Sequence, residues 1–159
     1  MRKGITIRPY KAGDETEISK LIAHTLMISN QKDYSPEYIE EIIREHSPEF
    51  FAGRAKDTHF YIACDGSKIV GCGGITGYWG STVESYLLSI FVLPEYQGLG
   101  IGRRIVETLE NDEYFERAGR TELASSITAV DFYRKLGYEF KNGITVPDAH
   151  KVVRMEKKK

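Results

Sequence analysis

Cysteine is scarce in this chain, two in 159 residues, which excludes a disulfide framework and a thiolate metal cluster. Cys64 and Cys72 lie in successive apolar runs separated by Asp65-Gly66, a tight-turn dipeptide. A hairpin there sets Cys72 opposite a residue near His59 and not opposite Cys64, so both thiols read as free and buried. The four histidines, His24, His46, His59 and His150, are scattered without ligand spacing, and no metal is expected. Long apolar runs are missing too. No segment approaches the roughly 18 residues of a membrane span, and Met1-Arg2-Lys3-Gly4 leads into a short strand, not into the apolar core of a signal segment. The expectation is a cytoplasmic protein. Nor is there an excess of one charge: a formal net charge of -1 offers nucleic acid no general attraction, and Lys157-Lys158-Lys159 read as a solvated tail. Repeats, low-complexity tracts and internal linkers are absent.

What is present suits an ordinary globular enzyme: 41% apolar and 28% charged residues, expected to form one domain over residues 1–159. Apolar spacing predicts a strand at Ile5 to Pro9, a helix from Asp14 to about Met27, and a second helix opened by Ser35-Pro36. Ser47-Pro48 starts a short irregular or helical piece. A hairpin follows, His59 to Cys64 and Lys68 to Tyr78, then a strand from Val83 to Val92. A helix is predicted from about Gly98 to Arg117, a strand at Thr121 to Ala124, a helix from about Ser126 to Leu136, and closing strands near Tyr138 to Lys141 and Val152 to Glu156. The antiparallel meander followed by strand, helix, strand, helix does not read as a doubly wound fold.

The most informative stretch is Val92-Leu93-Pro94-Glu95-Tyr96-Gln97-Gly98-Leu99-Gly100-Ile101-Gly102-Arg103-Arg104. Glycine allows positive φ and close approach of a ligand, while the unpaired N–H groups of a first helical turn attract anions. Two phosphate motifs fail against these letters. No Gly-Lys-Ser or Gly-Lys-Thr follows, which removes the P-loop. The dinucleotide fingerprint needs a glycine where Arg103 stands, although Glu122 lies where a ribose-binding acid would.

The pattern Gln97-x-x-Gly100-x-Gly102, preceded by Val92-x-Pro94-Glu95-Tyr96, resembles the acetyl-CoA signature of the GCN5-related N-acetyltransferases. Downstream, Ala124-Ser125-Ser126-Ile127-Thr128-Ala129-Val130-Asp131-Phe132-Tyr133-Arg134-Lys135-Leu136-Gly137-Tyr138 is similar to that family's helix with a Phe-Tyr pair ending in Lys-x-Gly-aromatic. The two signatures keep the family's order and separation. The resemblance implies an α/β (α+β) fold: a mixed, mostly antiparallel sheet of six to seven strands, about four helices, and a V-shaped splay between the two central strands. It further implies that main-chain groups of Ile90, Phe91 and Val92 pair with the pantetheine of acetyl-CoA. Gln97, Gly98, Leu99, Gly100, Ile101, Gly102 and Arg103 would hold the phosphates. Ser126 stands where many relatives carry an asparagine seven residues before the tyrosine, and it is a further cofactor contact.

Acetyl transfer from a thioester to an amine needs a neutral nucleophile and a proton for the departing thiolate. A phenol, with a pKa of about 10, stays protonated at neutral pH and can donate. Tyr133 takes that role. The glutamate that relatives often place on the strand before the phosphate turn is missing, since this stretch reads Tyr86-Leu87-Leu88-Ser89. Glu84 is the candidate base, Glu122 the second, with an ordered water or an already neutral amine as alternatives. The acceptor is an amine, small or peptide, in a site formed by the first two helices and the turn Gly77-Tyr78-Trp79-Gly80, with Tyr34 and Tyr38 as further lining. The family also implies a homodimer. The rival readings are a non-catalytic coenzyme A-binding domain on the same scaffold and a nicotinamide enzyme.

Overall fold

The computed structural model describes residues 4–159. Met1, Arg2 and Lys3, which the expected domain includes, lie outside the described residues. In chain order the elements are β1 (Ile5–Pro9), α1 (Glu15–Ser29), α2 (Pro36–Glu45), α3 (Pro48–Arg54), β2 (Thr58–Asp65), β3 (Lys68–Gly77), β4 (Glu84–Val92), α4 (Ile101–Glu110), α5 (Glu113–Glu116), β5 (Arg120–Ser126), α6 (Val130–Lys135), β6 (Glu139–Phe140) and β7 (Val152–Lys158). The seven strands form one sheet in the order β1-β2-β3-β4-β5-β7-β6. Every neighbouring pair is antiparallel except β4 and β5.

The two Ser-Pro helices form for the reasons their letters give. Ser35 Oγ accepts from the amide of Tyr38 and Ser47 Oγ from that of Phe50, with proline in each first turn. Helices cover both faces of the sheet. On one, Ile105 and Leu109 of α4 lie so close over Gly73 that a Cβ there would come within 2.6 Å of Ile105 Cγ2. On the other, Phe51 of α3 meets Phe60 edge-on, with ring centroids 5.3 Å apart, and Phe60 fills the space beside Gly74.

Among the described residues six α-helices stand where about four were expected. The helix predicted from Gly98 to Arg117 is broken after Glu110 because Asp112 caps α5 instead, accepting from the Tyr114 amide at 2.8 Å. Asp112 is fixed there by His59 Nδ1 at 2.9 Å and the Tyr61 hydroxyl at 2.7 Å. Likewise β5 runs on to Ser126, and a 3-10 turn over Ile127–Ala129 delays α6 to Val130. In the β2–β3 hairpin Cys72 faces Ile62, while His59 faces Ile75, because the turn falls at Gly66-Ser67 with Asp65 paired to Lys68, and a bulge at Ala63/Cys64 shifts the register by one residue more. Both cysteines are free and buried, and burial pushes the Cys72 thiol up to about 12.

Candidate active site

The parallel pair β4/β5 is hydrogen-bonded only from Glu84–Leu87 against Arg120–Leu123. Beyond that, β4 stays with β3 as far as Val92 and β5 stays with β7 as far as Ser126, so the two central strands part into a V. A bulge in β4 starts the divergence. Cys72 and Gly74 pair with Phe91 and Leu88, leaving two β4 residues opposite one of β3, and Ser89 takes a φ of 54°. The Cys72 thiol donates to the Ser89 carbonyl at 3.3 Å, which ties the bulge to β3. At the open end, the Val92 carbonyl accepts from Gln97 Nε2 at 3.0 Å. The same carboxamide donates to Ser29 Oγ at 3.1 Å, joining the mouth of the V to the end of α1.

Gln97 opens the turn into α4. Gly98 and Gly100 have φ values of 77° and 82°, a region that side chains with a Cβ rarely adopt. Buried Ile101 anchors the turn in the core. From Gly98 to Arg103 the backbone N–H groups have no acceptor among the described residues, and the first intrahelical bond is from Arg104 to the Gly100 carbonyl. Six donors without an acceptor and the positive end of α4 are therefore grouped in one turn. Arg103 is exposed and paired with Glu107 at 3.4 Å, within reach of the same turn. The residues fit a diphosphate: donors in excess, an open turn, and no carboxylate from Gln97 to Arg103.

Tyr133 projects from α6 with only 7% of its surface exposed, packed edge-on against Phe132 and Tyr138. Its hydroxyl has no hydrogen-bond partner among the described residues. Burial drives its pKa well above that of an ordinary phenol, and the Tyr86 phenol adds to the shift. That electrostatic coupling brings Tyr86, on β4 beside Glu122, into the neighbourhood of Tyr133. Tyr86 itself is raised, chiefly by burial. Ser126, at the end of β5, uses its carbonyl to accept from Ser125 Oγ at 2.7 Å, and its own side chain makes no capping bond.

The two candidate carboxylates lie elsewhere. Glu84 sits at the closed end of the V, in the first β4–β5 pair, and accepts from Arg120 Nε at 2.8 Å. The structure does not bring it to the open end with Tyr133. Glu122 is fully buried. Its Oε1 takes Arg120 Nη1 at 2.8 Å and Lys141 Nζ at 2.9 Å, while Oε2 has no hydrogen-bond partner and lies 3.6 Å from Arg154 Nη1. Burial pushes Glu122 up, but Lys141 and Arg120 outweigh it and hold the carboxyl below its usual range. It is a fixed anion.

A cavity of about 680 Å³ opens on the same sheet face, lined among others by Tyr78, Trp79, Tyr86, Leu88, Arg117 and Arg154. Tyr78 and Trp79 are where the sequence put them. Tyr34 and Tyr38 are not in its lining: they stack at 4.7 Å and donate to the carbonyls of Lys151 and His150, fastening α2 to the segment before β7. Sequence reasoning missed Tyr86 and Arg154 as site residues. The alternation of β4 and β7 carries the signal, since Tyr86, Glu122 and Arg154 share a face once the register is known.

The family model for the acetyltransferase (GNAT) domain matches residues 30–159. No curated protein sequence matches the chain. Among solved structures, the chain is similar to the PaiA N-acetyltransferase of Thermoplasma acidophilum in complex with coenzyme A, with a TM-score of 0.83, 23% identity, and 98% of this chain and 99% of that one covered. A GCN5-related N-acetyltransferase of Rhodopseudomonas palustris gives a TM-score of 0.81, 22% identity, and coverage of 99% and 98%. The N-acetylglutamate synthase of Neisseria gonorrhoeae, complexed with coenzyme A and L-arginine, gives 0.65 at 17% identity, with 99% of this chain but 34% of that one covered. The splayed strands, the donor-rich turn and the family match together place the chain: it belongs to the GNAT family of acetyl-CoA-dependent N-acetyltransferases.

Proposed function

We propose that residues 1–159 form one acetyltransferase domain, in which the amides from Gly98 to Arg103 hold the coenzyme diphosphate and Tyr133 serves as the general acid. When bound, the coenzyme supplies the acetyl thioester. The observation that carries the reading is the run of six N–H groups, from Gly98 to Arg103, that have no acceptor among the described residues. Gln97 Nε2 holds the Val92 carbonyl, the main-chain group that would accept from a pantetheine amide of the bound coenzyme. Ile90, Phe91 and Val92 offer β4 edge groups along the part of the strand that β5 leaves unpaired. Ser126 borders the same opening from β5 and can donate or accept there.

Tyr133 remains a phenol throughout the neutral range, because burial disfavours its anion. It is therefore still protonated when the thiolate departs and can donate a hydrogen bond from Oη to the sulfur, whereas full transfer to a thiolate, whose pKa is about 8.5 by analogy with cysteine, is uphill from so weak an acid and is completed only as the phenol recovers a proton from the attacking amine. An amine that attacks the thioester directly needs no acyl-enzyme residue. Glu84 serves Arg120 in this reading, and Glu122 is too well neutralised to accept a proton; the amine arrives neutral or loses its proton to water. A homodimer belongs to the same reading as an expectation of the family, tested by sedimentation of the purified chain, and a cytoplasmic location as an expectation of the sequence, tested by fractionation of cells that express it.

The decisive experiment pairs coenzyme A titration by calorimetry with thiol release from acetyl-CoA over a panel of amines. Tight coenzyme binding with acylation of at least one amine supports the enzyme. Binding without acylation supports a coenzyme-binding module, the reading that the engagement of Glu84 and Glu122 by Arg120 and Lys141 favours.

A further inference from the structure

We propose that the acceptor is an amino acid, whose carboxylate is received by the guanidinium of Arg154 while its amine faces the open end of the V. The inference rests on the acetyltransferase reading and names its substrate class.

Register places Arg154. It pairs with Ala124, the first β5 residue past the last β4–β5 pair, Leu87 and Leu123. It shares a sheet face with Tyr86 and Glu122 and lines the 680 Å³ cavity with Tyr86 and Leu88. A group bound at Arg154 is therefore at the point where the central strands begin to part. A nitrogen two bonds from a carboxylate carbon held there is close enough to lie at the opening.

The guanidinium is only loosely engaged. Its Nη1 is 3.6 Å from Glu122 Oε2 and its Nε is 3.4 Å from Asp148, with 39% of the side chain exposed. Glu122 does not depend on it, since Arg120 and Lys141 bind the other carboxylate oxygen at 2.8 and 2.9 Å. The planar fork of arginine matches a carboxylate with two parallel donors. The rest of the cavity agrees. Its charged lining is Arg54, Arg117 and Arg154 against Asp57, and Asp57 is already paired with Arg54 at 3.4 Å. Arg117 has no carboxylate contact among the described residues, and Arg154 has only its two long contacts with Glu122 and Asp148, so the guanidinium groups of the lining favour an anionic group over an acceptor that carries several positive charges.

The test is acetyl-CoA thiol release with the standard amino acids, each active one compared with its carboxamide and its decarboxylated amine, and with spermidine as a polycation. The wild type, Arg154→Lys and Arg154→Met are compared. The lysine variant keeps a charge beside Glu122 and loses the fork, so it separates recognition from folding. We expect an amino acid to be preferred over its amide and amine, and KM for it to rise roughly tenfold to a hundredfold in both variants with a smaller change in kcat. Coenzyme affinity should hold. A preference for spermidine or decarboxylated amines, or a discrimination that survives in both variants, overturns the proposal while leaving the acetyltransferase intact. If no amine is acylated, the acetyltransferase reading fails. Calorimetry of the amino acids against the coenzyme complex then decides on the carboxylate site by itself, and no binding overturns it.

Discussion

Gly102 and Phe132 are in contact across the two halves of the site: a Cβ built on Gly102 would lie 3.1 Å from Cζ of Phe132. Gly102 is in the first turn of α4 and Phe132 precedes Tyr133 on α6, so the glycine turn proposed for the diphosphate and the phenol are set against each other through one ring. Gly102→Ala gains about 1 kcal/mol of helix propensity and loses a similar amount by crowding. Thermal stability should therefore move little, while kcat falls because α6 gives way. Phe132→Leu in the same chain should restore part of kcat. Unchanged turnover in the single variant removes the coupling.

Tyr133→Phe tests the acid directly. With coenzyme saturating, kcat should drop by about 10²–10⁴-fold, and coenzyme affinity should stay near wild type. The phenol is raised by burial and by Tyr86, so its proton is retained beyond the usual phenol range. The pH profile of wild-type kcat should accordingly show no alkaline limb from this group up to about pH 10. The linkage has the same sign: its contribution to stability is complete below the unfolded phenol value and is lost as pH rises toward the folded one.

Much of this site is written locally, and that part is legible in the letters. The turn from Gln97 to Gly102 declares itself because positive φ at Gly98 and Gly100 demands glycine, and the Ser-Pro helix starts because caps act within three residues. What stays hidden depends on partners distant in sequence. Asp112 breaks the helix after Glu110 only because His59 and Tyr61, more than fifty residues away, hold its carboxylate. Tyr34 and Tyr38 look like pocket aromatics until the carbonyls of Lys151 and His150 claim their hydroxyls. Glu84 was the nearest acid along the strand. Whether an acid on β4 lies at the open or the closed end of the V depends on where β5 lets go, which is a matter of register.

Glu84 and Glu122 make opposite predictions. Glu84→Gln leaves Arg120 with Glu122 and Glu156, so kcat/KM should stay far from the ~10²–10⁴-fold loss that removal of a true base brings. A loss of that size, with the acid limb of the profile abolished, would return Glu84 to the mechanism. Glu122→Gln strips the shared anion from Arg120, Lys141 and Arg154, and breaking a buried pair on one side costs about 3–5 kcal/mol. Urea unfolding at pH 7 reads this. Because the carboxyl is held below its usual range, its stabilising effect is present above the unfolded carboxylate value and fades as pH falls through the folded one. The gap between wild type and variant should narrow in acid.

Trp79 is the least comfortable residue lining the cavity of about 680 Å³. It is 89% exposed and has a φ of 48°, a conformation that costs a bulky side chain on the order of 1–3 kcal/mol. Burial does not offset that cost, and Tyr78 touches the ring only edge-on at 6.0 Å. An indole kept under strain at the rim of a cavity has a face to offer an acceptor. Trp79→Asn, whose side chain tolerates the left-handed region, should therefore raise unfolding stability by ~1 kcal/mol. It should at the same time raise KM for the acceptor and leave coenzyme affinity alone. A variant that is less stable than wild type shows instead that the ring packs for structure, and a variant with unaltered acceptor KM shows that nothing stacks on it.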